Sequence, residues 1–290
     1  MKFTKMHGLG NCYVFVDDTE IADTDTDPVA VARKISNRNT GVGSDGLVVV
    51  RPPGGTDSQA VAAQMVMYNM DGTRAQMCGN AIRCLGKYLF DNGICRDNPM
   101  VIATDSGLLT LELTVREQQV RLVRVDMGAP RLKPRDLPVL LKEEEMIDFP
   151  MTVCDKAIPM TCVSMGNPHA VFFVSDLDWL SPSLLEREGT RLEHLQIFPE
   201  RVNVHFVCVA PSQVEVTVLT WERGSGATQA CGTGAAAVCV AGVLTGRSKT
   251  KVTVHLPGGS LLVEWNQAEN KVMMTGPAVT ICAGEWFGMQ

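Results

Sequence analysis

Two cysteines in distant parts of the chain sit in nearly the same local sequence, Ala75-Gln76-Met77-Cys78-Gly79-Asn80 and Thr228-Gln229-Ala230-Cys231-Gly232-Thr233-Gly234. Each follows a strand-like, polar-flanked segment and precedes an apolar, helix-like stretch. Each is therefore expected at a helix N-terminus, where the macrodipole and the unpaired amides favour a thiolate. Two such thiols could address one substrate from opposite sides, one taking a proton and the other giving one.

The elements that must position them are also duplicated. Gly10-Asn11 precedes the apolar strand Tyr13-Val14-Phe15-Val16-Asp17, and Gly166-Asn167 precedes Ala170-Val171-Phe172-Phe173-Val174 with Asp176 beyond it. At equal distances before Cys78 and Cys231 lie Asn69, ending a strand-like Ala63 to Tyr68, and Glu222, ending Val214 to Trp221. After each cysteine comes a helix candidate, Asn80 to Asp91 stopped by Asn92-Gly93 and Thr233 to Thr245 stopped by Gly246. The second is apolar almost all round, and a helix without a polar face has to be wrapped by other structure. Strand-like pieces follow in both halves, Met100 to Thr104, Gly107 to Val115 and Val120 to Met127, then Lys251 to His255, Gly259 to Trp265 and Lys271 to Thr275.

The segment Pro130 to Pro150, which carries the charged run Lys142-Glu143-Glu144-Glu145, reads as a connector whose acidic run is a solvated face. The expected fold class is therefore α+β, with two pseudo-symmetric domains, each a curled mixed or antiparallel sheet around a central apolar helix. The first domain spans 1–128 with a C-terminal strand in 277–290, the second spans 129–276, and the expected site is the cleft where they meet.

Composition narrows the partners. The chain of 290 residues has 26 basic and 32 acidic side chains, a net charge of −6 and no long basic run, which argues against a nucleic-acid surface and for a small-molecule substrate. The first residues lack the apolar core of a signal peptide. The longest apolar run, Ala235 to Leu244, is far short of the roughly 18 residues that span a bilayer. A soluble cytoplasmic protein without membrane partners is expected. The 10 cysteines lie in apolar surroundings without Cys-x-x-Cys spacing, so neither a disulfide framework nor a zinc site is expected, and no metal is assigned.

The ordered motifs His7-Gly8-Leu9-Gly10-Asn11, Gly41-Val42-Gly43-Ser44-Asp45-Gly46, Asn69-Met70-Asp71-Gly72, Met77-Cys78-Gly79-Asn80, Met165-Gly166-Asn167-Pro168-His169, Arg201-Val202-Asn203, Trp221-Glu222-Arg223-Gly224 and Ala230-Cys231-Gly232-Thr233-Gly234 resemble the diaminopimelate epimerase family over most of the chain. This family belongs to the cofactor-independent amino-acid racemases and epimerases. The resemblance implies epimerisation of LL-2,6-diaminopimelate to the meso form, on the route to lysine and peptidoglycan precursors, by a cytoplasmic homodimer. It makes Cys78 and Cys231 the acid/base pair. Asn11, Asn69, Asn167, Asn203, Glu222 and Arg223 would hold the substrate's amino and carboxylate groups, and His169 would lie near the reacting carbon. Two departures from the family pattern are Cys12, where aspartate is usual after Gly-Asn, and Ala81-Ile82 after Asn80.

The residues themselves fit that chemistry. A free amino acid is a very weak carbon acid, and the sequence shows no signature for pyridoxal phosphate or a metal, so no cofactor is expected and fixed dipoles must stabilise the carbanion. Amides at Gly79-Asn80 and Gly232-Thr233 could bind a carboxylate between two positive helix ends while lowering the thiol pKa values. Arg223 offers a bidentate fork to a distal carboxylate, Glu222 can accept from an ammonium, and asparagines can donate and accept.

Plainer readings remain in view. Cys12, Cys84, Cys95, Cys154, Cys162, Cys208, Cys239 and Cys282 read as small core residues, and His7, His194 and His255 as ordinary histidines. A thiol protease using His169 or His205 as base would leave the second cysteine module without a role. Gly41 to Gly46 fits G-x-G-x-x-G but precedes the strand Leu47-Val48-Val49-Val50 instead of following one, so a dinucleotide site fails on context. A proline or hydroxyproline racemase would share the thiols but need no distal polar cage, and a non-catalytic amino-acid-binding relative would not need the thiols.

Overall fold

The computed structural model describes residues 1–290 except 23–26, 55–60, 142–144, 177, 179–180 and 289–290. Lys142, Glu143 and Glu144 of the acidic run thus lie outside the described residues. The chain divides into two compact units, Met1–Val125 with Gly276–Gln290, and Asp126–Thr275.

The first unit carries β1 (Lys2–Gly8), β2 (Asn11–Asp17), β3 (Gly46–Arg51), β4 (Ala63–Asn69), β5 (Arg74–Ala75), β6 (Met100–Thr104), β7 (Gly107–Arg116) and most of β8 (Gln119–Asp126). Helices α1 (Asp18–Ala22) and α2 (Pro28–Ser36) lie between β2 and β3, and α3 (Gly79–Asp91) between β5 and β6. The second unit opens with the hairpin β9 (Thr152–Val153) and β10 (Lys156–Ala157). It continues with β11 (Met160–Ser164), β12 (Pro168–Val174), β13 (Asn203–Val209), β14 (Glu215–Glu222), β15 (Gly226–Ala227), β16 (Lys251–Leu256), β17 (Gly259–Asn266) and β18 (Lys271–Gly276). Its helices are α4 (Pro182–Glu193), between β12 and β13, and α5 (Gly232–Leu244), between β15 and β16.

Strand pairing repeats step for step. In the first unit β1/β2 is antiparallel, β2/β3 parallel, β3/β4 and β4/β5 antiparallel, β4/β6 parallel, and β6/β7 and β7/β8 antiparallel. The same sequence of senses runs through β11/β12, β12/β13, β13/β14, β14/β15, β14/β16, β16/β17 and β17/β18. One strand is extra: β19 (Val279–Glu285) returns to the first unit and pairs antiparallel with β1. A parallel pair needs a crossover, usually a helix. Two such pairs per unit thus account for α2 and α3 in one and α4 and α5 in the other. Sequence reasoning found only α3 and α5, although Asp27-Pro28 and Ser181-Pro182 both spell a cap followed by proline at the first helical position. Asp27 Oδ1 accepts from Val29 N at 3.1 Å and Ser181 Oγ from Leu184 N at 3.2 Å.

The outer strands show the half-buried alternation of period two, as in Lys251–Leu256 and Lys271–Gly276, whereas Pro168–Val174 and Asn203–Val209 are buried nearly throughout. They cover the helices. α3 packs on β1, β2 and β7, and α5 on β11, β12, β13, β16 and β17. Both helices stop as expected, at Gly93 and Gly246 in left-handed φ of 70° and 68°. Among the described residues no helix is long and apolar enough to cross a membrane.

The segment expected as a connector is instead part of the second unit's core. Leu137, Val139 and Met146 are buried there beside Phe172 and Phe206, and Arg131 and Phe149 bridge to Ser164 and Met160. Its apolar residues follow neither a helical nor a strand period, which is why the sequence hides them. Of the cysteines read as core residues, Cys84, Cys162 and Cys239 are buried and desolvation pushes each thiol up to about 12. Cys12, Cys95, Cys154 and Cys208 are half-buried, and Cys282 is exposed because all of β19 is.

Leu85 on α3 is fully buried while Leu108 is 65% exposed. Leu85→Ala is expected to lower the free energy of urea unfolding by about 2–5 kcal/mol. Leu108→Ala should stay within about 0.5 kcal/mol of the parent chain.

Candidate active site

The topology decides which side chains meet. β4 ends at Asn69 and β14 at Glu222, and each is followed by a short returning strand and then the N-terminus of the crossover helix. The carboxyl end of a strand and the start of the next helix lie at the same edge of a sheet, which is where such folds bind ligands.

In the first unit Gly46 stands opposite Asn69 in one pairing and opposite Tyr13 in the other, bringing the starts of β2 and β3 to that edge. Cys78 is the N-cap residue of α3, in extended conformation with φ −141° and ψ 123°, and its side chain does not cap the helix. Its Sγ lies 3.0 Å from Tyr13 Oη. Arg83, one turn into the helix and fully buried, donates from Nη1 to Gly79 O at 2.8 Å and from Nη2 to Asn80 Oδ1 at 2.9 Å. Asn80 Nδ2 reaches Asn11 Oδ1 at 3.5 Å. Asn11 Nδ2 in turn points at Asp45 Oδ2 at 3.4 Å, and the same oxygen accepts from Cys12 N at 2.8 Å. Asp45 thus meets both the Asn11 amide and residue 12, whose backbone N–H and thiol each hydrogen-bond to it. Asn69 donates from Nδ2 to Thr73 Oγ1 at 2.9 Å.

The second unit arranges equivalent positions differently. Cys231 is only 5% exposed. It caps α5 with its own sulfur, which accepts from Gly234 N at 3.4 Å and lies 3.5 Å from Thr233 Oγ1. The registers Val204 with Trp221 and His169 with Asn203 put Asn203, Glu222 and the Asn167-Pro168-His169 segment at the same sheet edge. Glu222 Oε1 accepts from Thr228 Oγ1 at 2.6 Å. Asn203 is buried and braced at both ends of its amide: Nδ2 donates to Pro168 O at 2.9 Å, and Oδ1 accepts from Arg223 N at 3.0 Å. It therefore holds the loop that presents Arg223, whose Nη1 donates to Glu200 O at 3.0 Å. His169 is fully buried, with Nε2 on Asn167 Oδ1 at 2.9 Å and Nδ1 on His205 Nε2 at 2.8 Å. Gly79 and Gly232 are the first residues of their helices, and Thr233 follows in α5.

The electrostatics correct one expectation. A helix start was expected to lower both thiol pKa values, yet burial pushes the Cys231 thiol well up, and the negative charge of Glu222 pushes it further. Bonds from Thr233 and Gly234 N pull the other way without offsetting this. Burial also raises the Glu222 carboxyl, against the hydrogen bonds from Thr228 and Cys231. Cys231 is thus a thiol at neutral pH in the ligand-free chain.

Several contributors were not found from the sequence. Tyr13, Arg83, Asp45, Thr228 and His205 make contacts that the sequence does not reveal, although Asp45 and Thr228 stand within the motifs quoted above. Glu193 is the clearest case. Buried at 3% exposure, it accepts from Trp221 Nε1 at 2.7 Å and Gly224 N at 2.9 Å, clamping both sides of Glu222-Arg223. Burial alone would raise its pKa, but the bonds from Trp221 and Gly224 and the nearby His194 and Arg201 bring it below the ordinary glutamate range. One of three glutamates on an amphipathic helix, at its last position, gives no hint of this.

Solved structures define the fold. The chain aligns over 99% of its length with a hydroxyproline epimerase from Agrobacterium vitis, covering 90% of that chain at a TM-score of 0.68 and 17% identity. It also aligns with a phenazine biosynthesis protein of the PhzF family from Bacillus anthracis, covering 98% of both chains at a TM-score of 0.67 and 16% identity. Both share its duplicated α+β fold. Sequence places it more narrowly. The diaminopimelate epimerase family profile matches residues 3–133 and 161–281. Relatives named diaminopimelate epimerase are 48% identical in Acetivibrio thermocellus, over 98% of each chain, and 46% identical in Desulfitobacterium hafniense, over 98% of this chain and 97% of the other. The chain belongs to the diaminopimelate epimerase family, whose members are isomerases.

With iodoacetamide at neutral pH, peptide mapping should find Cys78 alkylated well before Cys231. Labelling of Cys231 should rise only above the ordinary thiol range, and Glu222→Gln, by removing the adjacent charge, should move that rise to lower pH. Equal rates at neutral pH would contradict the burial described.

Proposed function

We propose that the chain interconverts LL- and meso-diaminopimelate by proton transfer at one α-carbon, with Cys78 and Cys231 as the two proton-carrying groups. The observation that carries this is the placement of one cysteine at the start of the equivalent crossover helix in each of two units with identical strand order, in a chain of this family.

Inversion at carbon requires the proton to leave one face and return to the other. A thiolate takes the α-proton, forming an S–H bond as the C–H bond breaks, and the electron pair is delocalised into the adjoining carboxylate. The opposite thiol then delivers its proton to that carbon and becomes the thiolate, so the pair ends in the state that runs the reaction backwards. Since Cys231 rests as a thiol, it is the acid in the first turnover, with Cys78 the base. First-turn amides of α3 and α5, which a helix cannot satisfy internally, stabilise the negative charge that develops on the substrate carboxylate. Asn11, Asn69, Asn167, Glu222 and Arg223 recognise the amino and carboxylate groups, with Asn203 and Glu193 holding the loop that bears two of them. Arg223 and Glu222 favour a substrate charged at both ends. Family membership also supports cytoplasmic work as a homodimer.

The decisive experiment follows loss of the α-proton in D₂O by proton NMR, without added cofactor and under reducing conditions, offering diaminopimelate and proline separately. Exchange and epimerisation of diaminopimelate are expected. Cys78→Ala and Cys231→Ala should each lower the epimerisation rate by about 10²–10⁴-fold, the weight of one positioned acid or base. Activity on proline alone, or indifference to both substitutions, would overturn the reading.

A further inference from the structure

We infer that His205 and Thr220 are positioning residues: with His169 they form a buried relay of hydrogen bonds, ordered in one direction, that fixes which end of the Asn167 amide faces the substrate. The inference rests on the proposed role of Asn167 in substrate binding. Thr220, His205 and His169 are at most 1% exposed. The relay runs from Thr220 Oγ1 to His205 Nδ1 at 3.0 Å, from His205 Nε2 to His169 Nδ1 at 2.8 Å, and from His169 Nε2 to Asn167 Oδ1 at 2.9 Å.

Neutral imidazole has one donor and one acceptor nitrogen, so the relay has two self-consistent proton orders, and they turn the Asn167 amide in opposite directions. Thr220 selects between them. Among the described residues its hydroxyl has a single partner, His205 Nδ1. If His205 donated to it, the threonine proton would be buried without an acceptor, at the cost of an unmet donor. Thr220 therefore donates. His205 then carries its proton on Nε2 and gives it to His169 Nδ1, and His169 carries its proton on Nε2 and gives it to Asn167 Oδ1. Asn167 is left presenting its NH₂ group, a donor suited to a carboxylate. Both rings remain neutral, since burial depresses the pKa of each, His205 to about 3.

His205 also couples the relay to the thiol. A Cβ at Gly234 would lie 2.3 Å from His205 Cε1, so the ring is pressed against the first turn of α5, where Gly234 N bonds to Cys231 Sγ. Only glycine admits this approach.

The test labels histidine with ¹⁵N in the full-length chain and reads the tautomers at neutral pH by long-range ¹H–¹⁵N correlation, which needs no activity. His169 and His205 are expected to be neutral and protonated at Nε2. An Nδ1–H tautomer or an imidazolium at either position overturns the relay whether or not the chain is an epimerase. With diaminopimelate as substrate, Thr220→Val should lower kcat/KM by about fivefold, the equilibrium weight of one neutral hydrogen bond. It should also give mixed tautomers at His205. Thr220→Ser, which keeps the hydroxyl, should retain the parent rate and tautomers. Thr220→Val with parent kinetics and unmixed tautomers would overturn the assignment. A parent chain with Nε2 tautomers but no activity on diaminopimelate would instead count against the proposed reaction.

Discussion

A helix that begins beneath a sheet brings first-turn N–H groups into the interior, and it cannot satisfy them from within. Burying such donors unmet costs more than most single contacts return. The whole structure is organised around two helices of this kind. α3 and α5 are crossovers between parallel strands, wrapped by curled sheet, and each starts at a cysteine. Their amides must meet a capping group, an anion or both. A helix start with first-turn amides that the helix itself cannot satisfy is therefore a consequence of the wrapping, and the repeated strand order supplies it twice, each time with a cysteine at the cap position.

The two starts are not interchangeable. Cys231 spends its sulfur on capping Gly234 N and lies under burial and the Glu222 charge, so it holds its proton. Cys78 leaves its helix uncapped by side chain, stays half-buried and takes Tyr13 Oη as a neighbour, with the Arg83 guanidinium buried one turn away. One architecture thus prepares a buried thiol that keeps its proton and a half-buried sulfur that, in the proposed reaction, accepts one. Reversal of these roles after each turnover is what a two-way proton transfer needs.

Around each thiol, polar side chains are held in series of hydrogen bonds. Arg83, Asn80, Asn11 and Asp45 form one such series, and Thr220, His205, His169 and Asn167 another. Both are closed by glycines that let large side chains approach the backbone: a Cβ at Gly8 would stand 2.9 Å from Arg83 Nη2, and one at Gly234 would strike the His205 ring. Amide groups can point either way at little cost, so a site built from asparagines depends on such bracing for its selectivity.

The sequence alone determined the duplication, the two cysteine-capped helices with their glycine stops, most strands after them and the polar residues flanking the thiols. All are local patterns, read from periodicity, turn chemistry and matched spacing. It did not reveal α2 and α4, whose amphipathic faces are short, or that Pro130 to Pro150 packs into a core without any period. Nor could it show that Cys231 is a protonated thiol, that Asp45 meets both Asn11 and residue 12, or which contacts Glu193, Tyr13, His205 and Thr220 make. Those depend on burial and on contacts between residues distant in the chain. A helix dipole can be anticipated from where a helix begins, but desolvation and a neighbouring charge exist only once the tertiary structure has excluded water and brought Glu222 beside Cys231.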